Sequence, residues 1–183
     1  MKIVGIDLAG NPTNDTGFCV LRVADDEKSV STSILKSDSE ILERLNEIQP
    51  EIVAIDAPLI FEGRNRPCDD ELGEYGALPV TLRGMEVLAK RGSSLAIEIK
   101  KFNPNLIEIS AKTSAKILGF HDPDNKKMQK RLIEAKISGD IDKRFLTKDE
   151  LDAIFAAITG YLHLNGSTEE VGDDNGKIVI PKV

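Results

Sequence analysis

Apolar and polar positions alternate along the chain in blocks that predict a mixed α/β order. Lys2-Ile3-Val4-Gly5-Ile6-Asp7 is a short β-branched run bounded by Gly10, Asn11 and Pro12, which predicts a buried strand rather than a helix. A polar turn leads to Thr16-Gly17-Phe18-Cys19-Val20-Leu21-Arg22-Val23, a second strand entered through glycine, so the two runs predict a hairpin. Ser29 to Leu35 adds a Ser/Thr-rich third strand. Ser37-Asp38-Ser39-Glu40 has the form of a helix cap, and Ile41, Leu42, Leu45 and Ile48 follow at helical spacing up to Pro50. Glu51 to Leu59 repeats the first run: apolar residues, an acid at Asp56, then Pro58 as a stop. A strand reached through a helix after a meander is expected to lie parallel to the first, which brings Asp7 and Asp56 out at one edge.

Residues 61–103 break the alternation. A charged loop from Glu62 to Glu71 is followed by Gly73, Gly76 and Pro79, and then by two helical stretches, Thr81 to Lys90 and Leu95 to Lys101. The expectation is one domain over residues 1–183, with 61–103 as an insertion after the fourth strand, lying over the carboxylate edge. Beyond it, Asn105 to Ser110 reads as a fifth strand carrying Glu108, Ala111 to Leu118 as a helix, and Asn125 to Ser138 as a basic amphipathic helix. Thr147 to Tyr161 is the clearest helix, capped by Thr147 with Glu150 completing a capping box. The tail, from Gly172 to Pro181, predicts a turn and a short edge strand.

Composition narrows the class. Hydrophobic residues at 40% and charged residues at 30% are ordinary for a globular chain, and no apolar run has the length of a membrane span. No export leader is evident, so a cytoplasmic protein with no membrane partner is expected. Cys19 and Cys68 have no metal-type spacing and read as reduced thiols, and His121 and His163 read as surface or capping residues. With 24 basic against 31 acidic residues, the formal charge of −7 has the wrong sign for gripping nucleic acid over the whole surface. Phosphate contacts must be local; Arg64, Arg66, Arg83, Lys90 and Arg91 form one candidate patch, and Lys126, Lys127, Lys130 and Arg131 another.

The acids carry the candidate chemistry. Burying a carboxylate costs several kcal/mol unless it is paired or metal-bound, yet Asp7, Asp56 and Glu108 are each embedded in apolar runs. Asp149 and Asp152 are three apart and share a helix face, with Asp152 inside the apolar run Leu151 to Ile158. If that face meets the strand edge, three or four carboxylates converge and call for a divalent cation. Oxygen ligands without Cys or His suit Mg²⁺ or Mn²⁺, and two such ions about 4 Å apart activate water in phosphodiester cleavage.

The order of a strand ending in Gly5-Ile6-Asp7, a strand entered by Thr16-Gly17, a helix, a parallel strand ending in an acid and a late Asp149-Glu150-Leu151-Asp152-Ala153 resembles the ribonuclease H-like superfamily, and within it the branch containing Holliday-junction resolvases. Ile55-Asp56-Ala57-Pro58, the Arg64 to Asp69 stretch, Ile107-Glu108-Ile109, Leu151-Asp152-Ala153 and the closing Gly172 to Pro181 together are similar to domain-of-unknown-function family 429, described as predicted nucleases of this fold. The resemblance implies an α/β ribonuclease H-like domain with a mixed five-stranded sheet flanked by helices. It implies Asp7, Asp56 and Asp152 as metal ligands, with Asp149 or Glu108 as a further ligand or water-orienting base. Resolvase-type enzymes place Glu on the parallel strand, so the shorter Asp56 would need the metals closer.

The expected function is therefore a metal-dependent nuclease or phosphodiesterase, catalysis assigned to Asp7, Asp56, Glu108 and Asp152, metal binding to Asp7, Asp56, Asp149 and Asp152, and Mg²⁺ or Mn²⁺ as cofactor. Arg64, Arg66 and Asp69 are either substrate-binding or an internal ion pair of the insertion. The alternative is a non-catalytic nucleic-acid- or nucleotide-binding regulatory protein that keeps the fold. The partner is nucleic acid or a small phosphodiester, and the oligomeric state stays open, a homodimer included.

Overall fold

In the computed structural model, which describes residues 1–182, the chain forms one six-stranded sheet and a separate two-stranded hairpin. The elements in order are β1 (Lys2–Asp7), β2 (Thr16–Ala24), β3 (Glu27–Leu35), α1 (Asp38–Ile48), β4 (Ile52–Asp56), α2 (Pro67–Glu71), a 3-10 turn (Gly73–Tyr75), α3 (Arg83–Lys100), β5 (Leu106–Glu108), α4 (Ala111–Ile117), α5 (Asn125–Glu134), β6 (Ile137–Gly139), α6 (Asp140–Lys143), α7 (Lys148–Leu164), β7 (Thr168–Asp173) and β8 (Gly176–Pro181). The sheet order is β5-β4-β1-β2-β3-β6. The meander is antiparallel, and β4 and β5 run parallel to β1, as the crossover through α1 predicts.

Two helical layers sandwich this sheet. On one face Val4, Ile6, Val20, Val53 and Ile55 pack against Ile41 and Leu45 of α1 and Leu95 and Ile99 of α3. On the other, Ile3, Leu21, Ile52 and Ala54 pack against Leu151, Ile154 and Phe155 of α7. The alternation along each strand that the sequence pattern demands is thus divided between two cores.

Three differences from the sequence expectation have local causes. The sheet has a sixth strand where a longer basic helix is expected: α5 ends at Glu134, Lys136 takes a left-handed φ of 64°, and Ile137 to Gly139 pair parallel with β3. Three residues hold too little periodicity to betray a strand. The two helices expected between Thr81 and Lys101 are one, α3, running through Gly92. That glycine is there for clearance, since a Cβ would lie 2.4 Å from the Pro58 carbonyl oxygen. Consequently the second half of 61–103 is a core helix on the face away from α7, and its first half, with Arg91 and Gly92, borders the loops that leave the β1 and β4 ends. Lastly, the tail forms the hairpin β7–β8, whose Ile178 and Ile180 pack on Cys68 and Leu72 of the charged loop.

Candidate active site

Asp7 and Asp56 end adjacent parallel strands and are Cα partners in the register. Ile3, Ile52 and Ala54 face α7, so the two-residue alternation turns both carboxylates toward that helix as well. The helix lies unusually near the sheet. A Cβ on Gly5 would fall 2.1 Å from the Ala153 carbonyl oxygen, and one on Gly17, the cross-strand partner of Asp7, would fall 1.9 Å from that of Asp149. Glycine at both positions lets the backbone of α7 rest on the strands and carries Asp149 and Asp152 to the strand ends.

The first turn of α7 is fixed. Thr147 Oγ1 accepts the Glu150 N–H at 3.2 Å, and the Glu150 carboxylate accepts the Thr147 N–H at 2.9 Å, closing the capping box read from the sequence. Glu150 also receives Thr32 Oγ1 at 2.8 Å and the Arg144 guanidinium. The loop leaving Asp7 is pinned as firmly: the Ala9 N–H donates to Thr16 Oγ1 at 3.1 Å, while Arg91 spans the Ala9 and Lys36 carbonyls, both at 2.6 Å, and Asp38 at 2.8 Å.

The acids at this edge repel one another. Burial, then the charges of Asp56, Asp152 and Asp149, hold Asp7 well above the usual carboxylate range. Burial and the Asp152 charge push Asp56 up to about 7, even though its Oδ2 accepts the Ala111 N–H at 3.1 Å. Asp149 is raised by burial and by Asp152. Two unit charges about 5 Å apart interact by about 3 kcal/mol at the effective dielectric of a protein site, so the crowding is costly at neutral pH. One cation partly offsets it: Lys148 pairs with Asp152 one helical turn away. Burial would lower the Lys148 ammonium, but the Asp152 pair and the charges of Asp7 and Asp56 outweigh it and raise it. Beside the acids an open trough of about 570 Å³ is bordered by Asp7, Gly10, Thr13, Asn14, Asp15 and Asp149.

Glu108 stands apart from this group. Its register partner is Ile55, which faces α3, so alternation turns Glu108 to the opposite side of the sheet from Asp56. There Arg66, only 2% exposed, grips both its oxygens at 2.7 and 2.9 Å, and the Leu59 N–H adds a third bond at 2.8 Å. Arg66 also binds both oxygens of Asp69, at 2.8 and 3.0 Å, and the Ile60 carbonyl at 3.3 Å, which uses all five of its donors. Of the two options for Arg66 and Asp69, the geometry is that of an internal ion pair. Arg64 is exposed and bonds Glu62 and Asn175, each at 2.8 Å. Most of the remaining basic residues are likewise engaged: Lys90 with Glu86, Lys130 with Glu134 and Arg131 with Asp122.

The sequence pattern does not single out Lys148, and it offers Lys112 or an arginine of the insertion as the salt-bridge partner of Glu108, a place that Arg66 takes. Lys148 was legible as a lysine four positions before Asp152 on a helix face. Lys112 is left without Glu108 as a partner. It lies on α4 between the acids and the charged loop, and among the described residues it has no carboxylate partner.

The donor set at the edge is all oxygen, as hard divalent ions prefer. Among the described residues, no group of three or more His, Cys, Asp or Glu side chains is placed closely enough to hold a metal ion. No described helix is long and apolar enough to cross a membrane.

A mixed sheet in this order, with acids closing β1 and β4 beneath a late helix, defines a ribonuclease H-like fold. The chain is similar over 90% of its length to the Thermus thermophilus RuvC structure, covering 97% of that chain, with a TM-score of 0.57 and 12% identity. It belongs to the family described as Protein of unknown function (DUF429), which matches residues 5–136 and so takes in Asp7, Asp56, Arg66, Asp69 and Glu108 but ends before α7. No curated protein matches it.

Proposed function

We propose that the chain is a metal-dependent phosphodiesterase, a nuclease in the broad sense, in which Asp7, Asp56 and Asp152, with Asp149 at the flank, hold Mg²⁺ or Mn²⁺. The observation that carries this reading is the convergence of acids from β1, β4 and α7 on one sheet face at an electrostatic cost that a single lysine only partly relieves. Buried like charges persist where they serve a function. The ion, when bound, supplies a Lewis acid for a phosphate oxygen and lowers the pKa of a water. The chain's own groups do the rest. The Ala111 N–H orients Asp56, and Lys148 sets the position of Asp152. Glu108 is in this reading a positioning residue that, with Arg66, anchors Leu59 just beyond the Asp56 strand end. Arg64 is the exposed arginine of the loop, and a phosphate would have to displace it from its surface pair with Glu62. The net charge of −7 favours a short or locally gripped substrate over a long duplex.

The test is cleavage of a labelled panel (branched DNA, single strands, RNA–DNA hybrid, dinucleotides) in Mn²⁺ and Mg²⁺, with Asp7→Asn alongside. Cleavage by the native protein and its loss in the variant are expected; equal cleavage by both would overturn the assignment. A second reading, a nucleotide- or nucleic-acid-binding protein that keeps the fold, draws support from Lys148 acting as a built-in counter-ion. It predicts no rise in melting temperature with millimolar Mn²⁺.

A further inference from the structure

A cleft of about 180 Å³ opens beside Asp56, between the charged loop and the strand ends, on the side away from the polar trough. Pro58, Leu78, Met85, Leu88 and Ile178 form its aliphatic walls, and the Arg66, Asp69 and Glu108 network forms its floor. That floor offers no free donor to a ligand, because the donors of Arg66 are consumed by the two carboxylates and the Ile60 carbonyl. Ser110 is spent too: its hydroxyl donates to Thr113 Oγ1 at 2.9 Å. Among the described residues that line it, the one uncommitted cation is Lys112, which also borders the neighbouring cleft that holds Lys148 and Asp152. Its amine lies over Gly76, where a Cβ would approach to 2.9 Å and where φ is +93°.

Size and chemistry select the occupant. An apolar cavity of about 150 Å³ holds one benzene ring, so the volume of this cleft, about 180 Å³, matches a single ring system with its substituents outside. The aliphatic walls suit the face of a heteroaromatic ring, as in sites that receive a base taken out of its stack. Leu78, 53% exposed at the rim, extends the apolar surface outward. A ring seated there places whatever is attached to it between Asp56 and Lys112, and an ammonium at that point suits a phosphate.

Building on the phosphodiesterase reading, we propose that the cleft receives one unstacked nucleobase of the substrate, the adjoining phosphate passing Lys112 to reach the acids. Among the described residues that line the cleft, Lys112 and the Asp56 carboxylate, which is assigned to the metal, are the side chains with polar capacity to spare, so recognition is by shape and the four bases bind alike. The substrate class is then a single-stranded or very short phosphodiester, not an intact duplex.

The test is titration of the four nucleosides, their 5′-monophosphates and ribose 5-phosphate against native protein, Ala77→Phe, Leu78→Asp and Lys112→Ala, followed by calorimetry. Nucleosides need neither metal nor phosphate, so their binding in EDTA reports the cleft alone. Expected are nucleoside affinities within about tenfold of one another, as base-independent stacking gives. Ala77→Phe fills the cleft and removes nucleoside binding, Leu78→Asp weakens it from the exposed rim if the larger change disturbs folding, and Lys112→Ala removes only the advantage of the monophosphate. Undetectable nucleoside binding, or binding unchanged in both cleft variants, overturns the proposal. If Mn²⁺ raises the melting temperature and a dinucleotide is cleaved equally by Ala77→Phe, the cleft assignment fails while the metal reading stands. Nucleoside binding lost in Ala77→Phe without any Mn²⁺ response keeps the cleft and rejects the metal reading.

Discussion

Replacing Asp56 by Asn should stabilise the metal-free protein, and the gain should grow with pH. The native carboxyl titrates at about 7 against an ordinary 3.8. Between those values the folded state holds a proton that the unfolded state releases. Stability therefore falls as pH rises through this window, and the whole penalty is present above about pH 7. At 1.36 kcal/mol per unit, the shift corresponds to roughly 4 kcal/mol as an upper bound. Asn keeps an oxygen to accept the Ala111 N–H but loses the attraction of Lys148 and stays a buried polar group, so roughly half of that, about 2 kcal/mol, should be gained. For a chain of 183 residues this raises Tm by about 4–8 °C. The assay is thermal unfolding in EDTA near pH 5 and near pH 8, native and variant side by side. The variant should nearly match the native protein at the lower pH and exceed it at the higher one; Mn²⁺ should then narrow the gap by stabilising only the native form. A variant less stable at pH 8, or a gap that does not change with pH, would refute the account of crowded acids.

Arg66→Met should cost about 3–5 kcal/mol, because it strands Glu108 and Asp69 as buried charges without their partner; urea denaturation at neutral pH checks this, with a smaller loss expected near pH 5. Gly17→Ala drives a methyl into the Asp149 carbonyl, and overpacking of this kind costs about 1–3 kcal/mol. It should also abolish any Mn²⁺-dependent rise in Tm, since the first turn of α7 must lift away from the Asp7 strand.

What the sequence made legible follows from how far each signal extends along the chain. The runs Ile3–Ile6 and Ile52–Ile55 each end in an acid, and the intervening helix fixed them as parallel neighbours, so the Asp7–Asp56 pairing could be read before any coordinates. The Thr147–Glu150 capping box likewise located the start of α7 and hence Asp149 and Asp152. Which side Glu108 serves is decided by one residue of register: paired with Ile55 rather than Asp56, it turns away from Asp56 and meets Arg66. Gly92 resembled a break between two helices when its role is contact with the Pro58 backbone, a tertiary fact with no local signature. The β6 strand depends on pairing with β3, more than a hundred residues earlier, which no window of periodicity can join.

The glycines at Gly5 and Gly17 explain why aspartate, the shorter acid, occupies every position of the edge. Glycine inside a strand sacrifices about 0.5–1 kcal/mol relative to alanine, a cost borne twice here where β1 and β2 meet α7. A helix held off by ordinary side chains would sit about 10 Å from the sheet, the spacing usual between packed layers, and the carboxylates of Asp149 and Asp152 would not reach the level of Asp7. Backbone contact through Ala153 and Asp149 removes that gap, so short side chains from the helix and from both strands lie near enough to feel one another's charge without an extra methylene in any of them. The same closeness is what raises Asp7 and Asp56, because the helix brings the charge of Asp152 with it. Clearance and crowding are two consequences of one packing choice, which is why the glycine and aspartate substitutions should move stability in opposite directions while each removes the response to metal.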